Sequence, residues 1–204
     1  MTCDISHKRE SGDERRLMIA RAAREIITEK GLEGLRTRDI AARVGINVAT
    51  LHYHVPTKSA LITLVAESLR HDFAAQALAR PRDGKTALEK LRMEFEDVYE
   101  NIAETPERIM VLTELTEKGR RDPTIAEIIM PIYEHWMLQY VEIFADGIAD
   151  GSFRPDIDPL GAALITTGAL SNRWRAWPQF RDALPTVIAE LERAFVTPSL
   201  SSQG

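Results

Sequence analysis

The 204-residue sequence holds a single cysteine, Cys3, and no apolar run that approaches the roughly 20 residues a membrane-spanning helix requires. One cysteine permits neither a disulfide framework nor a Cys-based zinc site within the chain. Also missing are HExxH, GxSxG, a glycine-rich phosphate loop and a cysteine nucleophile with a histidine partner. His52 and His54 are two apart, so on a helix they point about 200° from one another and do not share a metal. His71-Asp72 and Glu134-His135 are sequence neighbours, which do not converge on a helix. No catalytic residue, metal ligand or cofactor is therefore expected, and an enzyme is not. The first residues are polar and charged (CDISHKRESGDERR), unlike a secretory leader. Together with the lack of a membrane segment, this gives an expected cytoplasmic location. No β-rich run occurs, and the class expected is all-α.

At 44% hydrophobic and 28% charged, the composition is that of a globular chain of one or two domains. Its net charge of −5 speaks against nucleic-acid binding until the distribution is considered. Residues 1–60 hold 11 Lys/Arg and 8 Asp/Glu, whereas residues 61–204 hold 15 and 23. The positive end coincides with the most informative stretch, Leu35 to Leu61 (LRTRDIAARVGINVATLHYHVPTKSAL). Thr37 is placed to cap a short helix in which Asp39 suits the first turn and Ile40, Ala41 and Val44 form one apolar face. Gly45 supplies the turn, and Asn47 can cap a second helix over Val48 to about His54 with Leu51 inward. Pro56 ends that helix, and Thr57 caps a long third one. Two short helices joined through a Gly turn make a helix-turn-helix, a unit that presents its second helix to the DNA major groove. That helix exposes Val48, Ala49, Thr50, His52, Tyr53 and His54, none of them acidic.

The run Ile19 to Leu61 resembles the TetR family of bacterial transcription repressors. The matching pieces are IARAAREIITEKG (19–31), TRDIAARVG (37–45) and, most specifically, TLHYHVPTKSAL (50–61). His52 departs from the usual Tyr, and Val48 and Ala49 stand where Lys and Gly are common. The resemblance implies that Thr37, Tyr53 and Lys58 hold phosphates while Arg38, Asn47, Ala49, Thr50 and His52 face the groove. It also implies a homodimer on double-stranded DNA, with a small organic molecule releasing it from a palindromic operator. A ligand-independent or activating DNA-binding regulator, or a helical small-molecule-binding module without a DNA role, is the alternative.

In chain order, residues 1–12 read as a disordered tail. A helix from about Asp13 to Lys30 buries Ile19, Ala20, Ala23, Ile26 and Ile27 and turns Arg15, Arg16, Arg21 and Arg24 outward. The head then spans 13–57, a connecting helix 58–80, a ligand-binding and dimerisation domain 81–198, and a tail 199–204, with about nine helices in all. Breaks at Arg80–Gly84, Thr105-Pro106, Asp122-Pro123 and Asp150–Pro159 separate amphipathic helices, and Pro131 predicts a kink or restart. Polar residues among apolar ones in the middle helices outline an effector pocket: Tyr99, Met110, Thr113, Glu114, Trp136, Met137, Tyr140 and Thr167. The small, smooth face of Ala162, Ile165 and Ala169, with Val187, Leu191 and Phe195 of the last helix, is the expected dimer interface. Trp174 and Trp177 are placed at that seam or over the pocket.

Overall fold

The computed structural model describes residues 12–171 and 182–198, and over them the chain forms helices α1 (Gly12–Lys30), α2 (Thr37–Val44), α3 (Val48–His54), α4 (Lys58–Ala79), α5 (Ala87–Ala103), α6 (Pro106–Gly119), α7 (Pro123–Asp150), α8 (Pro159–Ser171) and α9 (Leu184–Phe195). Cys3, Trp174 and Trp177 lie outside the described residues. Among those residues, no helix is long and apolar enough to cross a membrane. Nor does any group of three or more His, Cys, Asp or Glu side chains among them have the geometry to hold a metal ion.

The helix ends are set by local chemistry. α2 stops at Gly45, which is left-handed at φ 74°, and the Ile46 amide reaches back to the Ala41 carbonyl at 2.9 Å. Asn47 Oδ1 accepts the Thr50 amide at 2.7 Å to open α3, and Thr57 Oγ1 accepts the Ala60 amide at 3.0 Å to open α4. Thr86 and Glu89 form a reciprocal capping box at the start of α5. Thr37 departs from expectation. It is the first residue of α2, the capping position falls to Arg36, and no side-chain cap bond forms there. Pro131 neither ends nor restarts α7, which runs on through it for 28 residues. The proline's missing N–H costs that helix one backbone bond, to the Glu127 carbonyl four residues back.

Packing divides the molecule into two cores. The first joins α1–α4 to α6 and the first half of α7, through Ile19, Ile26, Ile40, Leu51, Val65, Leu69, Val111, Leu115 and Ile129. The second holds α5, the rest of α7, α8 and α9, around Leu91, Phe95, Phe144, Phe153, Ala163, Leu184 and Phe195. Phe153 sits in the α7–α8 loop yet is almost wholly buried, packing against Phe144 with ring centroids 5.2 Å apart. Its segment pairs with the end of α9: Phe153 and Val196 form a β-bridge, the Arg154 amide donates to Phe195 O and the Thr197 amide to Ser152 O, both at 3.0 Å.

Arg24 also departs from expectation. It does not face solvent but lies between α1, α4 and α6, where its guanidinium meets Asp72 at 2.6 Å and Ser68 Oγ at 3.3 Å. The Arg108 guanidinium on α6 approaches the same Asp72 carboxylate at 3.5 Å. An arginine one step from the buried Ala23 is drawn into a helix junction because a carboxylate waits there to offset its desolvation.

Candidate DNA-reading face and ligand cavity

Behind the Asn47 cap, α3 turns Leu51 wholly into the first core, exposes Val48, Ala49, His52 and Tyr53, and leaves Thr50 and His54 half-buried. Tyr53 is 84% exposed, an unusual placement for an aromatic side chain with no ligand, and its ring meets His54 edge-on at 5.2 Å. Arg38, Asn47, Ala49, His52 and Lys58 are exposed, and Thr37 and Thr50 are half-buried; with Tyr53 they belong to α2, α3 with its cap, and the start of α4. Asn47 spends Oδ1 on its cap, which leaves its amide nitrogen free to point outward. Other cations of the head are engaged. Arg43 meets Glu29 at 2.8 Å and Glu25 at 3.3 Å, and Lys30 lies 3.3 Å from Asp39. Arg16 supports the end of α3 by donating to the His54 carbonyl at 3.3 Å. α2, α3 with its cap, and the start of α4 thus carry the cations Arg38 and Lys58 together with the neutral hydrogen-bonding side chains of Thr37, Asn47, Thr50 and Tyr53.

Behind the head, a cavity of about 1310 Å³ opens among α4, α5, α6, α7 and α8. Phe73, Val98, Ile109, Leu112, Ile132 and Trp136 line its apolar part. Trp136 is held edge-on by Phe73 at 4.9 Å and by Tyr133 at 6.0 Å. Near Tyr133 the wall is polar, with Thr116 Oγ1 and Tyr133 Oη 2.6 Å apart. At another part of the wall, Glu94, Arg82, Asp97, Gln139 and Tyr140 come together. Burial pushes the Glu94 carboxyl above the ordinary glutamate range, against the pull of Arg82 and of the Gln139 amide. Burial, helped by the nearby Glu94 charge, pushes the Tyr140 hydroxyl far up.

Of the residues expected to line a pocket, Thr113, Trp136, Met137, Tyr140 and Thr167 meet in this cavity. Three do not. Tyr99 faces outward from α5 and is 54% exposed, and Met110 is exposed on α6. Glu114 points the other way from Thr113, and its carboxylate accepts the Leu32 amide at 3.1 Å. Adjacent positions on a helix point about 100° apart, so the α6 stripe could not include both 113 and 114. Sequence reasoning missed Phe73, Arg82, Glu94 and Gln139. One signal was present: Glu94 interrupts the apolar stripe Leu91, Phe95, Val98 of α5.

The residues expected at a dimer seam also separate. Ala162, Leu191 and Phe195 are buried within the subunit, Phe195 edge-on to Phe144 at 5.0 Å, so they belong to its own core. Val187 and Ala169 are half-buried against the same core. Ile165, 59% exposed, stands on an outward face of α8 with Leu164 and Gly168.

Comparison with known proteins places this architecture. Residues 19–65 match the pattern of the bacterial regulatory proteins of the tetR family. The HTH-type transcriptional repressor KstR2 of Mycolicibacterium smegmatis is 26% identical over 148 residues, covering 71% of this chain and 70% of that protein. The class D tetracycline repressor protein of Escherichia coli is 39% identical over 59 residues, which span 28% of this chain and only 27% of that protein. A TetR-family transcriptional regulator from Agrobacterium tumefaciens superposes with a TM-score of 0.78 at 19% identity, over 92% of this chain and all of that one, a likeness of fold alone. The head of this chain, residues 19–65, thus carries the pattern of the bacterial regulatory proteins of the tetR family, and the fold over 92% of the chain is one that a TetR-family regulator shares.

Proposed function

We propose that the protein is a homodimeric transcriptional repressor that leaves a palindromic operator when a small organic molecule enters the cavity. The observation that carries this reading is α3 itself, opened by the Asn47 cap, free of acidic residues, with only Leu51 fully buried and Val48, Ala49, His52 and Tyr53 exposed. Thr37, Tyr53 and Lys58 hold phosphates, the first and last aided by backbone N–H groups at the starts of α2 and α4. Arg38, Asn47, Ala49, Thr50 and His52 face the base edges. Residues 13–57 form the reading head, α4 connects, and residues 81–198 carry the cavity and the dimer contact. Two heads about 34 Å apart are needed to read both half-sites of such an operator. The exposed α8 face around Ile165 supports pairing of two subunits.

Two helices support a route from cavity to head. α4 places Phe73, Ala74 and Ala77 on the cavity and Leu61, Leu64 and Val65 in the head core. α6 does the same with Thr113 and Thr116 on one side and Val111 and Leu115 on the other. Glu114 and Lys118 of α6 also grip the turn after α1, through the Leu32 amide and through Glu33 at 2.6 Å. A ligand that favours the released geometry by about 2.7 kcal/mol shifts operator occupancy 100-fold. The test is a mobility shift with the DNA upstream of the protein's own coding region. Saturable retardation that increases in steepness with a second half-site supports the reading, and indifference to every upstream fragment defeats it.

A further inference from the structure

The polar part of the cavity wall has an order that its apolar lining does not explain. Glu94 Oε1 lies 2.5 Å from Arg82 Nη2 and accepts the Gln139 amide at 2.6 Å. The same Arg82 nitrogen donates to Asp97 Oδ2 at 2.9 Å. Asp97 in turn pairs with Arg80, whose second nitrogen meets Glu100 at 2.5 Å. The series runs acid, base, acid, base, acid, so three carboxylates share two guanidinium groups. Asp97 sits between both cations and is compensated, and the deficit falls on the ends. Glu100 lies outside the cavity, where water screens it. Glu94 is the end that lines the cavity, and it is 7% exposed. Both of its protein partners meet Oε1, which leaves Oε2 uncommitted. A buried carboxylate with half a counter-ion is costly unless something else supplies positive charge.

We infer that the cavity takes an organic cation: a protonated amine seated on Glu94 beside the Tyr140 ring, with its apolar body against Phe73, Val98 and Trp136. This rests on the reading of the cavity as the effector site and adds the chemical class of the effector. A cation restores the charge balance of the series, and its desolvated ammonium has the Tyr140 ring beside Glu94 in the same part of the wall. At this part of the wall a carboxylate ligand would meet the under-compensated Glu94 and find Arg82 already shared between two acids, the other arginines of the lining, Arg70 and Arg120, being exposed to water. The Arg82 Nε, buried without a protein acceptor, needs only a neutral oxygen or a water.

The test uses the full chain and three probes that differ in one group: 4-phenylbutylamine, 4-phenylbutanol and 4-phenylbutyrate, titrated by calorimetry and tryptophan fluorescence. The amine is expected to bind about 10-fold tighter than either other probe, in line with one additional charge contact in a partly desolvated site. Glu94→Gln is expected to remove that advantage and leave the alcohol's affinity within about two-fold, while Glu94→Asp retains part of it. Equal or tighter binding of the butyrate overturns the cation assignment and leaves the cavity as the effector site. Binding of none of the three overturns both. The wild-type comparison needs no variant, so a poorly folding Glu94→Gln protein does not rescue the idea.

Discussion

The carboxylate of Glu114 on α6 accepts the backbone N–H of Leu32, 82 residues earlier in the chain, at 3.1 Å. Leu32 opens the turn after α1, and its amide has no helical partner of its own. Glu114→Ala should therefore strand a backbone donor in a half-buried place and loosen the head from α6. A loss of about 1 kcal/mol is expected in denaturant unfolding, with faster hydrogen exchange at Leu32. Exchange at Leu32 equal to the wild type would show that the bond is not made in solution.

Tyr53→Ala and Lys58→Ala remove an exposed ring and an exposed charge from the residues proposed to meet DNA. Both should fold normally and bind operator DNA less tightly. Lys58→Ala should also reduce the slope of log affinity against log salt by about 1 per subunit, alike for specific and random DNA. An unchanged slope places Lys58 away from phosphate.

Ile165 stands out from the subunit surface, whereas Leu191 is inside it. Ile165→Glu is expected to give a folded monomer by light scattering at micromolar concentration, with its helical circular dichroism intact. Leu191→Glu should instead unfold the second core. A dimeric Ile165→Glu protein would move the seam elsewhere.

Gly147 has no room for a side chain, because a Cβ there would overlap the Phe153 ring. Gly147→Ala should therefore destabilise through displacement of Phe153 rather than through helix propensity, which alone favours alanine by roughly 1 kcal/mol. Phe153→Ala, which empties a fully buried site, should cost about 3–5 kcal/mol. Thermal midpoints of the two variants check the order.

Burial raises the Glu94 carboxyl in the folded protein, so the native state binds this proton more tightly than the unfolded chain does. The group's contribution is most favourable below the ordinary glutamate value and declines as pH rises through the raised one. Denaturant titrations of wild type and Glu94→Gln across pH 4 to 8 should show the variant gaining relative stability as pH rises. A constant difference over that range would mean that Arg82 and Gln139 fully offset the burial.

The head was legible in the sequence because its determinants are local. Gly45, Asn47, Pro56 and Thr57 each act within four residues, and each sets the helix boundary it was expected to set. Thr37 misled for the same reason. A good capping residue next to Arg36 does not reveal that the helix starts one position early. What composition and spacing did not carry was partnership at long range. Arg24 reads as a surface cation until Asp72 is brought beside it. Ala162, Leu191 and Phe195 make as good a dimer face as a core face, and only the placement of Phe144 and Phe153 decides. Pro131 reads as a kink or a restart, and α7, packed on both sides of it, runs on through it without a restart.

The bridge between Phe153 and Val196 also bears on the order of events during synthesis. Every fully buried member of the first core has been made once Ile132 is in the chain. The second core lacks Phe195, and the loop at Phe153 lacks its pairing strand, until the last helix has left the ribosome. Domains tend to fold as they emerge. The half that reads DNA can therefore assemble ahead of the half that encloses most of α8 and α9, and a nascent chain stalled before Val196 would carry a finished head on an unfinished body.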